Sequence, residues 1–454
     1  MVRVAADQRG EGMSANFEEV TGNAILGIDT LWGGDVMCAS GTGRFIADSW
    51  FSDRPLPRAY TVAEAARVRE SGGVGAKSPD AAAIDAYLAQ VDIPGAIRGV
   101  KDAASWYGGL RGEYLAGLAL CFEAMWDLAM EILGKGDPVP YERCVIASTG
   151  LPPEPSDPVA KRERVAELLG CATGKREELI EAVDAWRKQH RVSMASIKLL
   201  GAAVIGYFDD LTARNVVPHL PRELHGVPRA NIEFLPILDA WFSGSMNYLG
   251  RARKPGGEPE YEATYEINAS LDISLPEFMQ LVSHEVVPGH VTTFAYLQNL
   301  YWRDLAGFEA SVLTMNTRAA ALFEGIANNA ILMAYGVTRI EDLPDKDLQT
   351  GLLLALLQDD AKNQSSYLTW GEGTPQTEVA RTLWTDYLVS PERADKLSGA
   401  WGRHPLLGRM YLPAYRAGTR KVAELRSKYT PEVFLPALYG AKGLVDITTI
   451  EKLL

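Results

Sequence analysis

The chain has 454 residues, of which 47% are hydrophobic and 23% charged, which is typical of a globular protein and excludes a disordered or fibrous chain. Its formal net charge of −13 argues against nucleic acid and anionic membrane as partners, because both select basic surfaces. The four cysteines are dispersed, and residues 1–12 contain no apolar signal segment, so the sequence predicts a cytoplasmic protein.

Apolar residues at helical spacing predict a mainly α-helical fold. In chain order, the predicted helices are 63–70, 81–90, 106–133, 158–169, 175–206, 275–301, 307–335, 347–367, 376–389 and 412–428. Ser274 and Glu277 form an N-terminal capping signature for the helix that begins at Leu275. The apolar stretch 114–133 carries three acidic residues, which indicates a core helix and not a membrane span.

Two segments lack this periodicity. Residues 41–57 are rich in Gly, Ser, Asp and Pro and are predicted to be irregular. Residues 217–273 combine prolines with short apolar runs, and 265–268 are predicted to form a short strand close to the metal-site helix. The prolines of 141–158 predict a boundary between an N-terminal helical region, 1–157, and a metal-site helical region, 158–454. The two regions form either separate domains or one continuous domain.

The central motif is a metal-hydrolase sequence with two extra residues: His284-Glu285-Val286-Val287-Pro288-Gly289-His290. In the simple zinc-peptidase motif, two His residues four apart share a metal from one helical face, and the Glu beside the first acts on a water molecule. Six residues of unbroken helix would turn the second His by about 600° and point it elsewhere. Pro and Gly are the residue types that break a helix, so a break there is predicted to return His290 to the metal.

A third ligand is expected on a neighbouring helix, and Glu324 lies in the middle of an apolar one. A buried carboxylate there requires compensation, which a metal would supply. The alternative is that Glu324 faces solvent or pairs with Arg318. Glu285 is the candidate general base, because it adjoins the first metal ligand.

The motif, followed by Glu324-Gly325-x-Ala327, resembles a bacterial uncharacterised family with a His-Glu-x-x-Pro-Gly-His signature. That family is similar to the carboxypeptidase Taq-type gluzincin metallopeptidases, which are almost entirely helical. The resemblance covers residues from about 217 to the end. It implies a large helical gluzincin-like body with His284, His290 and Glu324 as metal ligands and Glu285 as base.

The family also tends to carry Tyr-x-x-Gly near its C-terminal helix, matched here by Tyr415-Arg416-Ala417-Gly418. The resemblance implies that the Tyr415 hydroxyl donates to a developing oxyanion. A packing role for Tyr415 and a competing role for Tyr411 stay open. This chain departs from the family pattern after Glu324-Gly325, after His290 and at 408–411, before Tyr415. These departures leave the metal ligands intact and concern the substrate pocket.

Further polar residues are candidates for the site. His404 is a candidate transition-state donor or a capping residue, and Arg409 is a candidate bidentate partner of a substrate carboxylate. The pair Asp359-Asp360 is either a paired-carboxylate site or, as the preferred interpretation, a solvated helix face. The sequence contains no serine-hydrolase elbow, P-loop or dinucleotide fingerprint.

These observations predict a metal-dependent hydrolase, a gluzincin-type metalloprotease that cleaves a peptide or other amide. Zn²⁺ is the expected cofactor, and Fe²⁺, Mn²⁺ and Co²⁺ suit the same ligands. The alternatives are a non-peptidase metalloenzyme recruited to a small-molecule biosynthetic step and a non-catalytic metal-bearing helical scaffold. The expected partner is a small peptide or an amino-acid-derived small molecule, and the oligomeric state is open.

Overall fold

The computed structural model describes residues 11–41, 43–172, 174–238, 244–268 and 273–454. It confirms the mainly helical fold. The α-helices are α1 (Glu11–Leu31), α2 (Arg58–Thr61), α3 (Ala63–Glu70), α4 (Ala81–Leu88), α5 (Ile93–Tyr107), α6 (Gly109–Ile132), α7 (Tyr141–Thr149), α8 (Val159–Leu169), α9 (Arg176–Gln189), α10 (Ile197–Asn215), α11 (Arg222–His225), α12 (Leu275–Glu285), α13 (His290–Trp302), α14 (Arg318–Tyr335), α15 (Lys346–Ser366), α16 (Gln376–Tyr387), α17 (Pro391–Lys396), α18 (Leu412–Lys428) and α19 (Pro431–Leu438).

Within the described residues, the strands form two small sheets: β1 (Ala47–Trp50), β2 (Ile232–Ile237), β3 (Gly244–Tyr248), β4 (Ala263–Asn268) and β5 (Val312–Thr314). Strand β1 pairs with β5 in an antiparallel sheet. Strand β4 lies between β2, which is parallel to it, and β3, which is antiparallel. The strand predicted at 265–268 is therefore confirmed. The irregular prediction for 41–57 is wrong at β1, because the partner that stabilises this strand lies far away in the sequence.

Four of the predicted helices are interrupted where the backbone leaves the helical region. Gly108, at φ 59°, separates α5 from α6, and Asn316, at φ 61°, precedes α14. The predicted helix 307–335 also contains β5, and 175–206 is split between α9 and α10. The predicted helix 275–301 breaks between α12 and α13, at the motif.

The largest hydrophobic core surrounds α12, α13, α14 and α18, while a second core lies among the N-terminal helices α1 to α6. Within the described chain, one stretch, Arg318–Asp342, has the length and composition of a membrane span, and 78% of its most apolar window is buried in the protein. Helix α14, which begins this stretch, is therefore a central core helix.

Three features of the sequence fix the helices that carry the site. The capping box of Ser274 and Glu277 begins α12, as predicted: each side chain accepts from a backbone N–H at the helix start. Thr317 caps α14 by accepting from Ala320. Gly325 and Gly418 lie where α14 packs against α18, and the lack of side chains there lets the two backbones approach closely.

Candidate metal centre

The two motif histidines lie on either side of the helix break. His284 is on the last turn of α12 and His290 is the first residue of α13. At Gly289, a Cβ would lie 1.7 Å from the carbonyl oxygen of His284, so only glycine fits this close backbone approach. The imidazole centroids of His284 and His290 are 4.8 Å apart. The break therefore brings the two rings together, as the Pro-Gly pair in the motif predicts.

Helix α14 supplies Glu324 to the same point. Nε2 of His284 lies 3.5 Å from Oε2 of Glu324, and Nε2 of His290 lies 3.7 Å from Oε1. Ligand atoms from the three residues lie within 4.8 Å of one another. All three residues are buried, at 8%, 9% and 4% exposure for His284, His290 and Glu324. Glu324 therefore does not face solvent, and the alternative pairing with Arg318 is not seen: the Arg318 guanidinium donates to carbonyls of α7.

The surroundings of His284 fix the orientation of its ring. Its Nδ1 lies 2.8 Å from Oδ1 of Asn328, which acts as the acceptor and leaves Nε2 directed at Glu324. Asn328 in turn donates through Nδ2 to the hydroxyl of Thr419 on α18, 2.8 Å away. A histidine with one nitrogen held by an amide oxygen and the other facing a carboxylate has the arrangement of a metal ligand.

The polar atoms at the centre are not all satisfied by the protein. Tyr411 donates to Oε1 of Glu324 at 2.5 Å, but Oε2 of Glu324 has no hydrogen-bond partner among the described residues. A buried carboxylate oxygen without a partner is costly unless another group compensates it. Two imidazole nitrogens and a carboxylate form the donor set of a catalytic zinc site with an open position. The residues present therefore fit one divalent transition metal ion.

Charges at the centre influence one another strongly. Burial and, after it, the neighbouring His290 together lower the pKa of His284 to about 3, so this ring is neutral. Burial also opposes ionisation of Glu324, but the adjacent His290 outweighs it and lowers the pKa of the carboxyl. A neutral imidazole and an ionised carboxylate are the forms that bind metal.

Glu285 lies beside the centre without belonging to the ligand set. Its Oε1 is 4.0 Å from Nε2 of His284, and the side chain lines the same cavity. Burial raises the pKa of Glu285 to about 7. A carboxyl group with a pKa near neutrality is suited to take up and release a proton at physiological pH. The structure thus brings the predicted base to the predicted metal ligands.

Both candidate tyrosines reach the centre, with different contacts. Tyr411 binds Glu324 directly, whereas the ring of Tyr415 packs edge-on against Tyr411 with centroids 5.0 Å apart. The ammonium of Lys362 lies 3.3 Å from the centroid of the Tyr415 ring, and Lys362 also pairs with Asp359 at 2.9 Å. Tyr415 and Lys362 line a small cleft next to His284 and Glu285. Both tyrosines therefore line the cavity around the triad, and Tyr411 also contacts Glu324 directly.

The structure does not bring His404 or Arg409 into the cavity around the triad. His404 packs against Phe45, with ring centroids 5.1 Å apart, and its Nδ1 accepts from the backbone N–H groups of Leu406 and Leu407. Arg409 makes a bidentate pair with Glu131, at 2.8 and 2.9 Å. Its guanidinium fork is therefore occupied by a carboxylate of the protein, and His404 has the contacts of a capping residue.

The solvated helix face predicted for Asp359 and Asp360 is wrong. Both residues are buried, because each has a lysine partner. Asp359 pairs with Lys362, and Asp360 pairs with Lys161 at 2.7 Å. An ion pair offsets the desolvation that excludes a lone carboxylate from the interior.

Sequence reasoning missed several residues of the site. Asn328 lies one helical turn after Glu324 on α14, and this i, i+4 spacing is a signal that it shares the ligand face. Arg44 and Asp48, from the N-terminal region, line the cavity of about 160 Å³ that contains the triad. No local pattern marks them, because the fold brings them to the site from a distant part of the chain.

No protein-family model and no curated protein matches the chain. Solved structures of similar fold include two whose names mention a lipoprotein. One, from Shewanella oneidensis, is named a "putative lipoprotein of unknown function"; it is 14% identical over 88% of this chain and 79% of its own, with a TM-score of 0.51. The other, named a "putative lipoprotein" from Colwellia psychrerythraea, is 14% identical over 79% of this chain, with a TM-score of 0.47. The chain spans 65% of the length of the Colwellia protein. At this identity the likeness shows the fold alone.

Proposed function

We propose that this protein is a metal-dependent hydrolase that cleaves a peptide or other amide bond. The observation that carries the proposal is the cluster of His284, His290 and Glu324, whose ligand atoms lie within 4.8 Å of one another, with Glu285 beside it. The resemblance of this motif to the carboxypeptidase Taq-type gluzincins supports the same reaction class.

A divalent metal bound there would polarise the substrate carbonyl and lower the pKa of water. The protein's own groups divide the remaining work. Glu285, with its raised pKa, takes the proton from the attacking water and returns it to the leaving amine. The Tyr415 hydroxyl donates to the oxyanion that forms on the former carbonyl oxygen. Burial of the site keeps bulk water away from these steps.

Zn²⁺ is the metal we propose. Two imidazole nitrogens and one carboxylate, with a position left open, suit zinc. Fe²⁺, Mn²⁺ and Co²⁺ bind the same ligands, so metal supply and geometry decide among them.

The size of the cavity favours a small substrate. About 160 Å³ is available around the triad, and its walls are largely apolar, including Met246, Phe294 and Leu313. Such a space accommodates one side chain or a small molecule and not a folded protein. This supports a second candidate, a metalloenzyme of a small-molecule biosynthetic step that uses the same metal and base.

For location, we keep the cytoplasm as the proposal, on the basis of the composition. The Shewanella fold neighbour is named a putative lipoprotein, so the cell envelope is the alternative location to test. Fractionation of cells that express the full-length gene product distinguishes the two locations.

The test of the proposal begins with metal content. Elemental analysis of protein purified without added metal should give about one equivalent of a transition metal, lost in both His284→Ala and Glu324→Ala. The matched control is His219→Ala, because His219 is not part of the triad and its Nδ1 lies 3.1 Å from Oε1 of Glu432. Wild-type protein without metal, even after reconstitution with Zn²⁺, Fe²⁺ or Mn²⁺, would overturn the proposal.

The reaction itself is tested with a panel of peptides and simple amides on the metal-loaded protein. Cleavage that disappears in Glu285→Gln supports hydrolysis. Bound metal with no cleavage of any amide supports the biosynthetic alternative. A metalloprotein whose Glu285→Gln variant keeps full function in its host is a scaffold.

A further inference from the structure

One charged side chain in the metal cavity has no role in the proposed hydrolysis. Arg44 is only 6% exposed, and it lines the cavity together with Glu285 and the triad. Its Nε donates to the carbonyl oxygen of Cys38 at 2.8 Å, and its Nη1 donates to the carbonyl oxygens of Asp48 and Tyr248. The third nitrogen, Nη2, is buried and has no partner among the described residues.

The contacts of Arg44 satisfy two of its three nitrogens, Nε and Nη1, but not its charge. All three acceptors are neutral backbone carbonyls. Burial lowers the pKa of this guanidinium, while the nearby Asp48 carboxylate opposes the change. The two side chains influence each other electrostatically, and the hydrogen bond from Arg44 to Asp48 goes to the backbone carbonyl oxygen. A buried cation with a free donor at a cavity wall is the arrangement that binds a carboxylate of a ligand.

Asp48 is the second charged group of this wall. The charges of Arg44, His290 and Glu324 influence the pKa of the Asp48 carboxyl group, so this wall of the cavity adjoins the metal centre. Its carboxylate makes no hydrogen bond within the described parts of the chain, and it lines the cavity as Arg44 does. Asp48 therefore offers an acceptor for a cationic group next to the donor that Arg44 offers for an anionic one.

The charges of the whole cavity favour a ligand without net charge. With a divalent ion held by the triad, the positive charges of the ion and of Arg44 balance the carboxyl groups of Glu324, Glu285 and Asp48 when all three are ionised. An anion alone would pair with Arg44 and leave Asp48 facing a like charge or no charge. A cation alone would do the same to Arg44. A zwitterion satisfies both.

We propose that Arg44 and Asp48 recognise the α-carboxylate and the α-ammonium of a free amino-acid head group. This inference rests on the proposed function and names its substrate class. Because both α groups of the bound residue remain free, neither takes part in the amide bond that is cleaved. The scissile amide is therefore carried by the side chain of the amino acid. An ordinary α-peptide lacks this head group, since each of its residues has at least one α group in a peptide bond.

Binding tests this recognition without requiring turnover. The probes are the twenty common L-amino acids, Nε-acetyl-L-lysine and γ-L-glutamyl anilide, titrated calorimetrically into Zn²⁺-reconstituted wild-type protein. For each probe that binds, its α-amide and its α-N-acetyl derivative are titrated in parallel. We expect capping of either α group to weaken binding by about tenfold or more, because a buried charge then loses its partner.

The protein side is tested with Asp48→Asn and Arg44→Lys. Each substitution should lower the affinity for the free amino acid by about tenfold or more. Asp48→Asn should leave the affinity for the α-N-acetyl derivative unchanged. Circular dichroism and zinc content provide the folding control. Arg44 also donates to three backbone carbonyl oxygens, so its substitution tests folding as well as recognition. If Arg44→Lys is poorly folded, the comparison of free and capped ligands on wild-type protein tests the head-group recognition.

The outcomes separate this inference from the proposed hydrolysis. Binding of no probe, or equal binding of a free probe and its α-amide or α-N-acetyl derivative, overturns the head-group recognition. Efficient cleavage of amides without a free head group overturns it too and leaves the hydrolase intact. Head-group binding without cleavage of any side-chain amide overturns the hydrolase and leaves the recognition intact.

Discussion

Gly325 of α14 and Gly418 of α18 lie in backbone contact: a Cβ on Gly325 would be 2.3 Å from the carbonyl oxygen of Gly418. A Cβ on Gly418 would lie 1.8 Å from the carbonyl oxygen of Ala321. Glu324 adjoins the first glycine, and Tyr415 lies one turn before the second on α18. This close contact of helices therefore sets the distance between a metal ligand and the candidate oxyanion donor.

Gly418→Ala should destabilise the protein and disturb the metal centre. The added methyl group forces the two helices apart, and overpacking of a well-packed core costs about 1–3 kcal/mol. Thermal unfolding measures the loss, and metal content reports the site. The control is Gly206→Ala on α10, where a Cβ would meet nothing within 4 Å. Since alanine is the better helix former, that variant should be neutral or more stable by about 0.5–1 kcal/mol. Equal stability of Gly418→Ala and wild type would contradict the packing argument.

Asn328→Ala should weaken metal binding without unfolding the protein. The substitution removes the acceptor that orients the ring of His284, and loss of such a partner typically costs about 10–100-fold in metal affinity. Competition with a chromogenic zinc chelator measures the change. Asn231→Ala serves as the control, because Asn231 is exposed and donates only to a carbonyl oxygen of Glu260. An unchanged affinity in Asn328→Ala would show that His284 is oriented by other contacts.

Glu285→Gln should keep the metal and lose turnover. Glutamine retains the shape of the side chain but does not accept a proton, so the rate should fall by about 10²–10⁴-fold, the usual contribution of a general base. Metal content measured beside kcat separates this effect from loss of the site. A variant that loses its metal would assign Glu285 to the ligand set, contrary to its position outside the triad.

Phenylalanine substitutions should separate the two tyrosines. Tyr411→Phe removes the hydrogen bond to Glu324 and should lower metal affinity. Tyr415→Phe should leave metal affinity near wild type and lower kcat by about 10²-fold, as for loss of one oxyanion donor. Chelator competition and steady-state kinetics on both variants provide the comparison. The reverse pattern would exchange the roles of the two residues.

Local sequence patterns were sufficient where an element makes its own hydrogen bonds. The predicted boundaries of α3 and α18 match the structure, and the triad follows from the motif and from one buried carboxylate on an apolar helix. The sequence pattern does not predict helix α1, and it predicts an irregular segment where β1 lies. The partner of that strand, β5, is distant in the sequence. Backbone pairing between distant segments leaves no local pattern.

The polar environment of the site was harder to predict for the same reason. Arg44 and Asp48 reach the cavity through the fold, and Arg409 meets Glu131 across a long separation in the sequence. A sequence shows which side chains are able to bind a carboxylate. It does not show whether a carboxylate of the protein already occupies them.

Asp29→Asn should remove a pH dependence of stability that arises outside the metal-ligand triad. Asp29 is fully buried on α1, where Oδ1 accepts from the backbone N–H groups of Ile46 and Ala47 and Oδ2 has no partner within the described chain. Burial raises the pKa of this carboxyl from 3.8 to about 7. The folded protein therefore holds a proton that the unfolded chain releases.

A carboxyl whose pKa is raised on folding stabilises the folded state fully below its unfolded pKa and loses that contribution as the pH rises. The free energy of unfolding of the wild type should therefore fall by up to about 1.4 kcal/mol per pH unit between pH 4 and pH 7 relative to the variant. Urea unfolding at pH 5, 6, 7 and 8 measures both proteins, with Asp102→Asn as a control at an exposed position. Parallel curves for Asp29→Asn and wild type would mean that Asp29 is ionised in the folded protein, because only a bound proton gives the two proteins different slopes.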